Sequence, residues 1–137
     1  MGLNFLLDTN IISELSKSNP NPQVIKYLHI YGGQCITATL VMHELNFGIL
    51  RLVECKLKNN LLLKQLEKYN FPVLSYDAAA AQIHATERTK LASKGLTPLF
   101  VDGQIASIAQ VNDLVLVTRN TKDFKDFLNI KVESWFD

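Results

Sequence analysis

The sequence predicts an α/β protein, a twisted and mainly parallel sheet flanked by helices. Two observations carry that expectation. Short runs rich in Leu, Ile and Val continue without the in–out alternation of a half-exposed strand, so they suit strands buried on both faces. Between them lie longer segments whose apolar residues recur at helical spacing. Strands that take turns with helices along a chain imply parallel pairing with helical crossovers.

The elements follow in order. LNFLL (Leu3–Leu7) forms a first strand ending at Asp8. Asn10–Ser16 is a short helical stretch, and the turn cluster Ser18–Pro22 closes it. A helix over Gln23–Tyr31 stops at Gly32-Gly33, and Gln34–Ala38 is the second strand. Thr39 has the character of an N-cap for a helix carrying Leu40, Leu45, Ile49, Leu52 and Val53. A further helix covers about Asn59–Tyr69, and Phe71–Tyr76 is the third strand. Asp77 caps a helix that runs to about Ser93, KGLTP is a loop, and Asp102 or its neighbour opens a helix through Val111. DLVLVTRN (Asp113–Asn120) holds the fourth strand and its exit, and Ile130–Ser134 the fifth.

The chain has 137 residues, which suits one domain, 1–137, and leaves little room for a second. Hydrophobic residues make up 47% and charged residues 20%, enough for a core and unlike a disordered chain. No apolar run is long enough to span a bilayer. The opening MGLNFLLDTN is interrupted too soon by Asp8 to serve as a signal peptide, so a cytoplasmic protein is expected. Cys35 and Cys55 show no metal-binding spacing and suit reduced structural thiols. A formal charge of +1 neither announces a nucleic-acid binder nor excludes one, because an acidic cluster offsets a basic rim.

Ligands of open parallel sheets bind beyond the carboxyl ends of the strands. Asp8 ends the first strand, Asn120 lies just past the fourth, Asp102 sits near a helix start, and Glu44 lies about a turn into the helix after the second strand. All four are able to face one edge. Carboxylates without imidazole or thiolate suit hard cations such as Mg²⁺ and Mn²⁺. Such ions activate water and stabilise charge developing on phosphate oxygens. Each residue also has a plainer role: Asp8 as a turn residue or cap, Glu44 as a solvated helix residue, Asp102 as an N-cap, and Asn120 with Asp123 as turn and cap. His29, His43 and His84 lack partners at ligand spacing and suit structural or surface roles.

Four segments taken in order, LLDTN, MHELNFG, FVDGQIASIA and LVTRNTKDF, resemble the PIN-domain family over nearly the whole chain. YDAAAAQIHATERTKL and the short C-terminal strand are further similar to its VapC branch, the toxins of bacterial toxin–antitoxin pairs, and within it to those that cut initiator tRNA in the anticodon stem-loop. The resemblance implies the PIN fold and metal ligands at Asp8, Glu44 and Asp102. It implies a fourth acidic position where Asn120 stands here, with Asp123 as the nearby acidic candidate. Asn120 is a departure, since an amide oxygen coordinates a cation without adding charge. Thr9, Asn10 and Thr118 match supporting polar positions that orient carboxylates and water. The implied activity is an Mg²⁺- or Mn²⁺-dependent endoribonuclease. Arg88, Lys90, Lys94 and Arg119 are candidates to hold flanking phosphates, although Arg88 is equally placed to pair with Glu44 or Glu87. The implied partners are a VapB-like antitoxin, an RNA substrate and a second copy of the chain, with the apolar segment Leu50–Leu66 able to serve an interface or the chain's own core.

Two other classes fit less well. An aspartyl-nucleophile phosphatase wants a second aspartate where Asn10 stands. A Rossmann-type cofactor binder needs a glycine-rich turn after the first strand, and none follows. A PIN fold kept only as an inactive binding module is the third reading, and the presence of Asp8, Glu44 and Asp102 weighs against it.

Overall fold

A parallel sheet buries its central strands on both faces, and the chain's most apolar short runs occupy its middle. The structure, a computed structural model, describes residues 2–51 and 64–137. Five strands pair in the order β3-β2-β1-β4-β5: β1 (Phe5–Leu7), β2 (Cys35–Ala38), β3 (Val73–Leu74), β4 (Val115–Val117) and β5 (Lys131–Glu133). All four pairings are parallel. Every residue of β2 is buried, as the lack of alternation in its sequence requires. The central position of β1 follows from its register, Leu6 lying opposite Ile36 on one side and Leu116 on the other.

The helices flank this sheet: α1 (Thr9–Ser13), α2 (Pro22–Tyr31), α3 (Thr39–Arg51), α4 (Ala78–Ser93) and α5 (Phe100–Val111). Their ends obey local chemistry. The Asn21 side chain accepts hydrogen bonds from the amides of Gln23 and Val24, with Pro22 at the first helical position. The Asp77 carboxylate accepts from the Ala80 amide at 2.9 Å, the cap expected of it. After α4 the chain reverses through Gly95 at φ +75°, a conformation that favours glycine, and the Leu96 amide returns to the Leu91 carbonyl at 2.9 Å.

Several boundaries depart from the sequence reading. β1 starts at Phe5 rather than Leu3, which is 40% exposed. β3 is two residues long instead of spanning Phe71–Tyr76, β4 holds only Val115–Val117, and α2 begins one residue earlier, at Pro22. Thr39 is the first residue of α3 instead of lying before it. Asp102 does not open its helix. α5 begins at Phe100 with Leu99 at the cap position, which places Asp102 inside the first turn. The helical stretch Asn10–Ser16 divides into α1 and a 3-10 turn at Glu14–Ser16. Residues 64–69 are helical, whereas Cys55, Leu52, Val53, the first part of the expected Asn59–Tyr69 helix and most of the Leu50–Leu66 segment lie outside the described residues.

The core joins β1 and β4 to α1, α2 and α5 through Leu6, Leu7, Ile11, Leu28, Ile108 and Leu116, each at most 1% exposed. The single tryptophan, Trp135, closes the amino-terminal side of β1 in an aromatic cluster, its ring centroid 5.4 Å from both Phe5 and Tyr27. Cys35 is buried and free, and burial pushes its thiol up to about 12. It is therefore an inert packing residue at neutral pH, as expected of it. Leu116→Ala would hollow the centre of the sheet beneath the Asp8 edge. It should cost about 3 kcal/mol in urea unfolding followed by Trp135 fluorescence, as large-to-small core substitutions do.

Candidate active site

Because the strands are parallel, their carboxyl ends gather at one edge of the sheet, and polar residues that follow them meet there. Asp8 leaves β1 at the middle of that edge and forms the cap of α1. Thr118 follows β4 directly, Glu44 projects from α3, Asp102 from the first turn of α5, and Asp123 from a 3-10 turn, Thr121–Phe124. An open cleft of about 400 Å³ is lined by Asp8, Glu44, Asp102, Asp123 and Asn120 together. Thr9, Asn10 and Ser13 form its α1 wall, and Leu99 and Ile105 its α5 wall. No Lys, Arg or His lines the cleft among the described residues.

Hydrogen bonds fix the orientation of Asp8 and Glu44. Asp8 Oδ1 accepts the Thr9 amide at 2.8 Å, and Asp8 Oδ2 accepts the Thr118 hydroxyl at 2.9 Å. The same hydroxyl oxygen accepts from Asn10 Nδ2 at 3.3 Å and from the Asn120 amide at 3.2 Å. Asn10 Oδ1 in turn accepts the Arg119 amide at 2.9 Å, tying α1 to the exit of β4. The Thr9 hydroxyl donates to Glu44 Oε2 at 2.7 Å and so joins α1 to α3. Asn120 stands at the cap position of the 3-10 turn, but its side chain makes no capping bond.

The electrostatics follow from this crowding. Burial raises the Asp8 pKa, the Thr9 and Thr118 hydrogen bonds oppose the rise, and Glu44 and Asp123 add to it. Asp102 is pushed up to about 6, first by burial and then by the charges of Asp123, Asp8 and Glu44. Four carboxylates gathered in one cleft, with no basic side chain in its lining among the described residues, suit a hard divalent cation. Among the described residues no three acidic or other ligating side chains close around a single point, so the cleft offers an open donor set. Mg²⁺ accepts such a set, because it keeps several of its waters and needs few carboxylates.

The remaining candidates lie around this cleft or away from it. Arg88 sits over the Phe100 ring, 5.2 Å from its centroid, and not on Glu44 or Glu87. Glu87 instead faces Lys90 at 3.6 Å and accepts from Asn129. Lys94 lies at the exit of α4, and the Arg119 guanidinium lies over Phe136 at 4.8 Å. His43 is exposed and stacks on Phe47. His84 is buried, with burial and the Arg88 charge lowering its pKa, and is hydrogen-bonded to Tyr76. Sequence reasoning missed Ser13 and Leu99 as cleft walls and the contact between His84 and Gly103. The signal for the last was a glycine inside a helix, which calls for a packing reason. A larger groove of about 610 Å³ lies at the opposite end of the strands, beside Asn4 and Lys131, and among the described residues Asp113 is the one carboxylate residue in its lining.

A family model described as PIN domain matches residues 5–128, and the chain belongs to that family. Toxin FitB of Neisseria gonorrhoeae is 32% identical over 125 residues, covering 87% of this chain and 89% of the relative. The tRNA(fMet)-specific endonuclease VapC of Shigella flexneri is 32% identical over 133 residues, covering 97% of this chain and 98% of the relative. The crystal structure of DNA-bound VapBC from Salmonella typhimurium contains a chain that superposes with a TM-score of 0.84 at 27% identity, covering 97% of this chain and 98% of that one.

The raised acids predict the pH dependence of the metal-free protein. A carboxyl whose folded pKa exceeds its unfolded value holds its proton longer in the folded state, so its contribution to stability falls as pH rises through that interval. For Asp102 the interval runs from the ordinary 3.8 to about 6. Asp102→Asn should match the parent in EDTA below that window. Above it the variant should be the more stable, by on the order of 1 kcal/mol given screening of this half-exposed group. Thermal melts at several pH values check the widening gap.

Proposed function

We propose that this chain is the toxin of a toxin–antitoxin pair and acts as a metal-dependent endoribonuclease on tRNA, initiator tRNA first among its substrates. The observation that carries the reading is the cleft in which Asp8, Glu44, Asp102 and Asp123 stand together without a basic partner in the lining among the described residues. A phosphodiester backbone is itself anionic, so such a cleft favours a phosphate substrate only when a cation is bound in it. The relatives named as toxin and as tRNA(fMet)-specific endonuclease support the substrate and the biological role.

In this mechanism Asp8, Glu44 and Asp102 would hold Mg²⁺ or Mn²⁺. When bound, the ion supplies a water acidic enough to ionise near neutral pH and neutralises charge on the scissile phosphate. Thr9 and Thr118 hold the two Asp8 oxygens in place, and Thr9 also holds Glu44. Their fixed orientation lowers the reorganisation needed at reaction. Asn10 keeps the Thr118 hydroxyl aimed at Asp8 by donating to its oxygen. Asn120 and Asp123 line the same cleft, where Asn120 would serve as a neutral acceptor and Asp123 as the acidic group able to take a proton. Arg88, Lys90 and Lys94 from α4 and its exit, with Arg119 after β4, bind the phosphates on either side of the cut. Unpaired bases of a loop fix the site of cutting, as is usual for sequence-specific RNA recognition. A VapB-like antitoxin is the partner, two copies of the chain form the toxin unit, and residues 1–137 make one PIN domain.

The test is cleavage of total tRNA by purified, antitoxin-free protein with Mg²⁺ or Mn²⁺. Discrete fragments should appear, vanish in EDTA and fall by on the order of 100-fold or more with Asp8→Asn. A folded Asp8→Asn protein that cuts at the parental rate would overturn the assignment.

A further inference from the structure

We propose that His84 is a positioning residue for Asp102 and acts through Gly103. The edge of its imidazole, lodged against the glycine, sets how far the first turn of α5 carries the Asp102 carboxylate over the cleft. The inference rests on the metal-binding reading above.

No side-chain cap holds that turn. The cap position is Leu99, which supplies no side-chain hydrogen bond to the free amides. Leu99 is 72% exposed and Phe100 51%, so the turn is only partly packed. Its inner side meets α4 at Gly103, which is buried. A Cβ on Gly103 would lie 2.3 Å from His84 Nε2 and 2.8 Å from its Cδ2. The approach is therefore open to glycine alone unless the ring or the turn moves.

The ring is not free to move. His84 is 4% exposed, its Nδ1 lies 2.8 Å from the Tyr76 hydroxyl, and its centroid is 4.7 Å from that of Phe100. Tyr76 comes two residues after β3 ends at Leu74, so the hydrogen bond refers the ring to the sheet edge. Phe100 and Gly103 both meet the ring and bracket Asp102 in sequence. Successive helical residues point about 100° apart, so Asp102 faces the cleft while its neighbour Gly103 faces α4. The Ser107 hydroxyl donates to the Gly103 carbonyl at 2.7 Å and buttresses the same turn from one turn further on. Glycine weakens a helix interior, and here close approach of the ring is the compensating reason.

The experiment compares the parent with Gly103→Ala, His84→Ala and the double variant His84→Ala/Gly103→Ala. Mn²⁺ binding is titrated by electron paramagnetic resonance of the free ion, and folding is followed by circular dichroism. Gly103→Ala should fold and bind Mn²⁺ roughly tenfold more weakly, the loss expected when support of a ligand is disturbed. His84→Ala should weaken binding by a smaller factor, because the turn is loosened and not displaced. The double variant should regain most of the affinity lost in Gly103→Ala, since the new methyl occupies space the ring has left. A purely structural role would lower melting temperature without this rescue of metal affinity. If Gly103→Ala does not fold, a folded double variant that binds Mn²⁺ better than His84→Ala supports the proposal, and one that binds no better overturns it. Folded single variants with parental Mn²⁺ affinity overturn this inference alone. A parent that binds no Mn²⁺ overturns the metal reading along with it.

Discussion

The rest of the molecule depends on holding Asp8 at the end of the central strand, half-buried and in reach of other carboxylates. Burial and neighbouring negative charge both oppose its ionised form. Two short hydrogen bonds, from the Thr9 amide and the Thr118 hydroxyl, oppose that penalty. The first is local to the cap of α1, and the second forms because β1 and β4 are neighbours in register, with Leu7 opposite Val117, so that Asp8 and Thr118 leave the sheet side by side. The pairing of two strands far apart in sequence is thus also the geometry of the acid.

Thr118 is the point where the local networks meet. It is wholly buried, donates to Asp8 and accepts from Asn10 and from the Asn120 backbone. A hydroxyl is suited to this place because it donates and accepts at once, whereas a carboxylate would add a further repulsive charge. Asn10 has the complementary task. Its amide nitrogen serves Thr118 and its oxygen serves the Arg119 amide, so one side chain pins the start of α1 to the exit of β4. This also accounts physically for an asparagine two residues after Asp8: the position needs a donor and an acceptor, and an aspartate ionised at neutral pH supplies only acceptors.

Charge is separated on a scale the net value of +1 conceals. The acids occupy the cleft, while Arg88 and Arg119 lie over the rings of Phe100 and Phe136. Stacking on a ring holds a guanidinium without neutralising it, unlike a carboxylate partner. Among the described residues no ion pair relieves the acid repulsion in the cleft, and the apolar packing around Ile11, Ile105 and Leu116 supports it.

The sequence by itself determined the fold class, because unbroken apolar strands between amphipathic helices have few other solutions. It also determined the strong local signals: the Asp77 cap, the turn at Gly95, and Asp8 at the end of a buried strand. The ordered segments around Asp8, Glu44, Asp102 and Asn120 made the acidic cluster legible as candidates before any geometry was known. Boundaries were less legible, as Leu3, Thr39 and Asp102 illustrate, since each has its local preference overruled by where neighbouring elements end. Only the tertiary structure decided that Arg88 lies on Phe100 and that His84 meets Gly103. Local pattern records the preferences of one element, whereas these contacts depend on the separation and angle of two helices packed against each other, which emerge only when the core closes.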